Sequence, residues 1–163
     1  MSRHKWYIGV DPGVDGGIAL VNHTGLAIEY SAMPDTATSI YEWLRNAVTI
    51  ALTSGGYVAL AVEHQQPMPG NKGKVSVTAT ATMMRRFGQW EAFAVAMSIP
   101  YLEVRPATWK KSMGVVSEKG TSILRCEQLF PGVNLLRTPR CTKKHDGMAE
   151  ALLIAEYARR GNL

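Results

Sequence analysis

Hydrophobic positions in the first third of this chain fall in short runs broken by turns, and later ones recur at helical spacing. "WYIGVDPG" is an apolar run that stops at a Pro-Gly turn, and "GGIALVN" and "LAIEYSAM" are two more, separated by the hairpin-type connection "HTG". Three consecutive antiparallel strands are the simplest reading. "ATSIYEWLRNAVTIALTSGG" then has helical periodicity and a Gly stop, and "YVALAVEH" is an unalternating apolar strand that ends on a carboxylate. A strand without alternation is covered on both faces. The Pro/Gly/Lys loop "QQPMPGNKGK" follows, then a mostly helical segment from about Val75 to Met97, one more strand in "YLEVRP", and short helices around "ATWKK" and "KGTSILRCEQLF". The pattern closes with a loop, "PGVNLLRTPRCTKK", and a final helix in "KKHDGMAEALLIAEYARR". This order predicts an α/β fold built on one mixed β-sheet flanked by helices. With no repeat, low-complexity tract or linker, residues 1–163 read as a single domain.

The final helix carries an anomaly. Asp146 and Glu150 lie one turn apart on a stripe that continues through Leu153 and Tyr157, so both acids point toward the protein. Like charges at this spacing repel, and repel more when partly buried. Something positive is expected between them.

Composition narrows the setting. No apolar run approaches the roughly twenty residues needed to cross a bilayer, and no signal or transit peptide precedes the first strand, so a cytoplasmic protein is expected. The two cysteines, Cys126 and Cys141, have neither metal-site spacing nor a disulfide framework and are expected to be free. The net charge of +5 is unevenly spread. Acids outnumber bases up to Glu63, after which Lys72, Lys74, Arg85, Arg86, Lys110, Lys111, Lys119, Lys143 and Lys144 belong to a strongly basic stretch that suits a polyanion. A solvated basic surface is the plainer alternative.

Two further acids end strands. Asp11 closes the first, immediately before Pro12 and Gly13, and Glu63 closes "YVALAVE" in the same way. Ligands bind at strand ends next to a topological switch in open α/β sheets, so adjacent strands would set these acids side by side. With Asp146 and Glu150, four carboxylates are candidates to converge. All-oxygen ligands without His or Cys favour Mg²⁺ or Mn²⁺ over Zn²⁺. A pair of such ions held by carboxylates serves phosphodiester cleavage, which also needs an anionic substrate. Taken singly, Asp11 has a plainer reading as an Asx turn, and Asp146 as a favourable acid at a helix N-terminus. Glu63 is harder to dismiss, because a carboxylate ending an apolar strand is costly to desolvate without a partner. It is their conjunction that points to a metal site.

In this order "IGVDPG", "AVEHQQ", "VRPATWKKSMGV" and "DGMAEALLIAEYARR" resemble the motifs of RuvC-type Holliday-junction resolvases of the RNase H-like superfamily, over almost the whole chain. The resemblance implies an RNase H-like fold, a homodimer, and Mg²⁺-dependent paired nicking of four-way DNA junctions. It matches Asp11 and Glu63 to the first two metal ligands and the final helix to the rest. The bacterial pattern has two Asp residues three apart there, whereas Asp146 and Glu150 are four apart, and "AEALLIAEY" looks more like the phage and organellar branch. Which of the two touches metal, and whether His145 takes part, stays open. By position Lys110, Lys111 and Lys119 match phosphate-binding lysines, with Lys119 the candidate to stabilise the scissile phosphate. "PMPGNKGK" matches the junction-entering loop, with Met68 or Pro69 as a wedge, and Arg85 and Arg86 are candidates for backbone contacts. Trp109 reads as core, and Trp90, Phe93 and Met97 as one helix face for core or dimer. Other RNase H-like nucleases, acting on RNA or ordinary duplex, remain an alternative, as does a non-cutting architectural junction binder. An actin-like ATPase lobe is disfavoured by the absence of Gly-rich phosphate loops.

Overall fold

The computed structural model describes residues 3–65, 77–116, 118 and 120–163. In chain order the elements are β1 (His4–Asp11), β2 (Gly17–Val21), β3 (Ala27–Ala32), α1 (Ala37–Thr53), β4 (Gly56–Glu63), α2 (Val77–Ala96), β5 (Tyr101–Val104), α3 (Pro106–Met113), α4 (Thr121–Leu129) and α5 (Asp146–Tyr157). A last wide turn covers Ala158–Asn162. The strands form one five-stranded sheet in the order β3-β2-β1-β4-β5. β1, β2 and β3 pair antiparallel, whereas β4 is parallel to β1 and β5 parallel to β4. This is the mixed sheet that the run of hydrophobic segments predicts. The switch from antiparallel to parallel follows from connection length. Short turns join β1 to β2 and β2 to β3, but α1 must cross the sheet to start β4.

The two faces of the sheet differ in side-chain size. Ile8, Val10, Ile18, Leu20, Leu60 and Val62 pack with Ile40 and Leu44 of α1 and Phe87 and Trp90 of α2. Ala19, Val21 and Ala61 face the opposite way, toward α5, Trp109 and Met113 of α3, and Cys126 of α4. Small residues on this second face let α5 sit close to the strands. A Cβ on Gly9 would overlap the backbone of Ala151 and Ala155, and one on Gly147 would overlap Asp15 and Gly16. Those close approaches fix the height of α5 above the ends of β1 and β2.

α5 begins at Asp146, three residues later than the apolar pattern starts, because His145 acts as its cap. The His145 backbone is extended and its ring Nδ1 accepts the Met148 N–H at 3.3 Å. Nor is the helix amphipathic in the ordinary sense: from Gly147 to Tyr157 only Glu150 is more than marginally exposed. Trp90 is fully buried in the core, with Phe93 and Met97 packed beside it, so this face of α2 is a core face. Both cysteines are free. Among the described residues no helix is long and apolar enough to cross a membrane.

Candidate active site

β1 and β4 run side by side in the same direction, with Val10 opposite Val62, so the next residue of each strand brings Asp11 and Glu63 together at the sheet's edge. α5 passes over that edge and adds Glu150. The grouping is visible in the acidities. Asp11 keeps some contact with solvent, yet the protein around it is the main cause lifting its carboxyl from an ordinary 3.8 to about 7, with the charges of Glu63 and Glu150 adding to the rise. The Gly13 N–H, 3.1 Å from Asp11 Oδ1, and Lys110 oppose it. The Asx-turn reading of Asp11 is therefore correct, and the turn leaves the acid among Glu63 and Glu150.

Glu63 is buried, at 7% exposure. Burial raises its carboxyl above the ordinary range, Glu150 adds to that, and the Trp109 N–H, Lys110 and Gln65 pull the other way without cancelling it. Trp109 Nε1 donates to Glu63 Oε2 at 2.7 Å and Gln65 Nε2 to Oε1 at 3.2 Å. Trp109 is fully buried, as expected of a core residue, but it also holds a site acid in place. Trp6, Trp43 and Trp90 differ, since each buries an indole N–H with no acceptor among the described residues. The available sequence signal was therefore on the acid's side: a buried strand-end carboxylate needs a donor.

Glu150 has two partners on one oxygen. The Ser122 hydroxyl of α4 donates to Oε1 at 2.9 Å, and the Lys110 ammonium of α3 lies 2.9 Å from the same atom. Burial alone would lower the Lys110 ammonium, but the hydrogen bond and charge of Glu150, with Glu63 and Asp11 beyond it, hold it above its ordinary range. Lys110 is a positive partner for Glu150 but does not lie between it and Asp146 as expected: its other acids are Glu63 and Asp11, and no ion pair to Asp146 is formed among the described residues. Ser122 lies in no quoted motif, and Gln65 lies in "AVEHQQ" without having been singled out.

Asp146 is not among the acids whose charges raise Asp11 and Glu63. It opens α5 and, with exposed Asp15, acts on His145; burial first and Arg137 second outweigh these two acids and lower the His145 imidazole below its ordinary range. The structure thus brings Asp11, Glu63 and Glu150 together and leaves Asp146 beside His145. Of the basic candidates, Arg85, Lys111, Lys143 and Lys144 are exposed, and Lys144 pairs with Glu127 at 2.5 Å. Arg86 is half-buried, with one terminal guanidinium nitrogen enclosed and unpaired among the described residues. Lys72, Lys74, Lys119, Met68 and Pro69 lie outside the described residues.

The donor set of Asp11, Glu63 and Glu150 is all carboxylate oxygen, which fits a hard divalent cation such as Mg²⁺ or Mn²⁺. As the side chains stand, no three acids, histidines or cysteines among the described residues are close enough to hold an ion. Lys110 is the cation beside them instead.

The result is a mixed five-stranded sheet with acids ending its two central parallel strands and another on the helix that crosses them. No family model and no curated protein matches the chain. Solved structures do. Thermus thermophilus RuvC in complex with a Holliday junction substrate superposes with a TM-score of 0.56 at 19% identity, covering 97% of each chain. A second T. thermophilus RuvC structure gives 0.53 at 19% identity over 96% of each. The yeast mitochondrial Holliday junction resolvase Ydc2 gives 0.57 at 15% identity over 94% of this chain and 77% of that one. The fold is the one shared by these RuvC-type resolvases.

Proposed function

We propose that this protein is a divalent-metal-dependent endonuclease that resolves four-way DNA junctions by paired nicks. The observation that carries the reading is the meeting of Asp11, Glu63 and Glu150 at the ends of β1 and β4, in a fold shared with junction resolvases. Mg²⁺ or Mn²⁺, when bound, supplies water activation and stabilisation of the leaving oxygen. The chain's own residues do the rest. Asp11, Glu63 and Glu150 would hold the metal, while Trp109 and Gln65 fix both oxygens of Glu63 and Ser122 orients Glu150. Exposed Arg85 and Lys111 are suited to phosphate contacts, as is Lys143. Symmetric nicks in opposed strands require two such sites, so the reading includes a homodimer.

The test uses a labelled synthetic four-way junction and a matched linear duplex, with purified protein in Mg²⁺, Mn²⁺ or EDTA. Symmetric nicking of the junction alone, dependent on metal, is the expected result. A junction that is bound and never cut with either metal would replace this reading with an architectural one, and equal cutting of the linear duplex would leave a less selective nuclease.

A further inference from the structure

Trp109 and Lys110 are consecutive on α3, and each takes one acid of the site. The Trp109 indole donates to Glu63, while the Lys110 ammonium pairs with Glu150 and lies 5.2 Å from the centroid of the Trp109 ring. Lys110 is also drawn by Glu63 and Asp11, so among the described residues one ammonium answers three carboxylates. By charge count the three acids, if ionised, carry more negative charge than that one lysine cancels.

The pairing is built to be released. A lysine ammonium is a compact charge on a flexible stem, without the planar fork by which arginine grips a carboxylate at two points. The Lys110 side chain is 32% exposed and Glu150 17%, so a route from the pair to solvent is open to the lysine. Ser122 shares Oε1 with Lys110 and neither uses Oε2, so the glutamate stays oriented when the lysine leaves. A divalent cation among the same acids would sit beside the ammonium and repel it.

Resting on the metal-site reading above, we propose that Lys110 is the resident counter-ion of the metal-free site and that an entering divalent cation displaces it from Glu150. Metal and lysine compete for one carboxylate. The competition keeps the acids assembled without metal and sets a threshold on metal affinity.

The test compares wild type, Lys110→Met and Lys110→Arg by isothermal titration with Mn²⁺ and by thermal melting in EDTA. Lys110→Met removes the competitor, so Mn²⁺ should bind at least about fivefold tighter, while the EDTA melting temperature falls. Lys110→Arg installs a firmer grip and should bind Mn²⁺ more weakly than wild type. Equal or weaker Mn²⁺ binding by a folded Lys110→Met protein overturns the proposal even if the enzyme remains metal-dependent. Should the Met variant fail to melt cooperatively, the Arg variant decides, and unchanged affinity there overturns it. If folded wild type and both variants bind no Mn²⁺, the metal-site reading itself falls and takes this proposal with it.

Discussion

Glu150 and Glu156 lie six residues apart on α5, both largely screened from water, and their surroundings are opposite. Glu156, 4% exposed, is caged by two arginines: Arg159 donates through Nε at 2.6 Å to one oxygen and through a terminal nitrogen at 2.8 Å to the other, and Arg160 Nε lies 2.9 Å away. Burial would raise its carboxyl, but these bonds and charges win and hold it below the ordinary range. Around Glu150, one lysine among the described residues serves three acids, and Asp11 and Glu63 are left with raised carboxyls. The first arrangement satisfies its charge from within the chain. The second leaves charge uncompensated among the described residues, which supports the proposed cation site over a structural ion pair.

Substitution should separate the two regions most sharply in catalysis. Asp11→Asn, Glu63→Gln and Glu150→Gln are each expected to slow junction nicking by more than about a hundredfold, while Arg159→Met leaves the metal-saturated rate at the wild-type level. A gel assay with labelled junction reads both; comparable loss in Arg159→Met would erase the distinction. Trp109→Phe comes next. It keeps the ring and removes the donor to Glu63, and should weaken Mn²⁺ binding by about 10–100-fold, measured by calorimetry on protein whose fold is checked by circular dichroism.

Stability reverses the ranking. Arg159→Met strips donors from a buried carboxylate and should cost about 2 kcal/mol in urea unfolding, with no change in Mn²⁺ affinity. The pH dependence should also divide in two. Asp11 has a raised carboxyl, so its protonated form contributes stability that is whole below about 3.8 and lost as pH rises through about 7. Without metal, the melting temperature should therefore decline between pH 5 and pH 7, by less than about 1.4 kcal/mol per pH unit in free energy given the solvent that reaches Asp11. Asp11→Asn should flatten the decline. Glu156 has a lowered carboxyl, so its contribution is present above about 4.5 and lost as pH falls through its lower folded value. The smallest effect belongs to Asp146→Asn, expected to slow nicking less than about tenfold, because Asp146 sits with His145 and Asp15; a loss equal to that of Glu150→Gln would place Asp146 in the metal site.

Much of this architecture is legible in particular stretches of sequence. The "HTG" connection marks the hairpin between β2 and β3, the unalternating "YVALAVE" marks a strand covered on both sides, and "VDPG" marks the end of β1 at an acid. These signals are local, because turn chemistry and hydrophobic period act over a few residues. Glu63 was legible for the same reason, as a charge closing an apolar strand. The aromatic face of α2 left core and dimer open, and packing against Leu60 and Val62 decided for core.

What the sequence by itself determined was the set of elements, the two strand-end acids and the need for a positive partner near Glu150. What only the tertiary structure decided was which positive group that is, which acids Glu150 lies among, and what holds Glu63. Trp109 and Lys110 on α3 and Ser122 on α4 reach Asp11, Glu63 and Glu150 from two helices, with Trp109 46 positions from Glu63 and Ser122 28 from Glu150 along the chain. Their meeting depends on how closely α5 settles over Gly9 and Gly17, a matter of backbone approach that no spacing along the chain records.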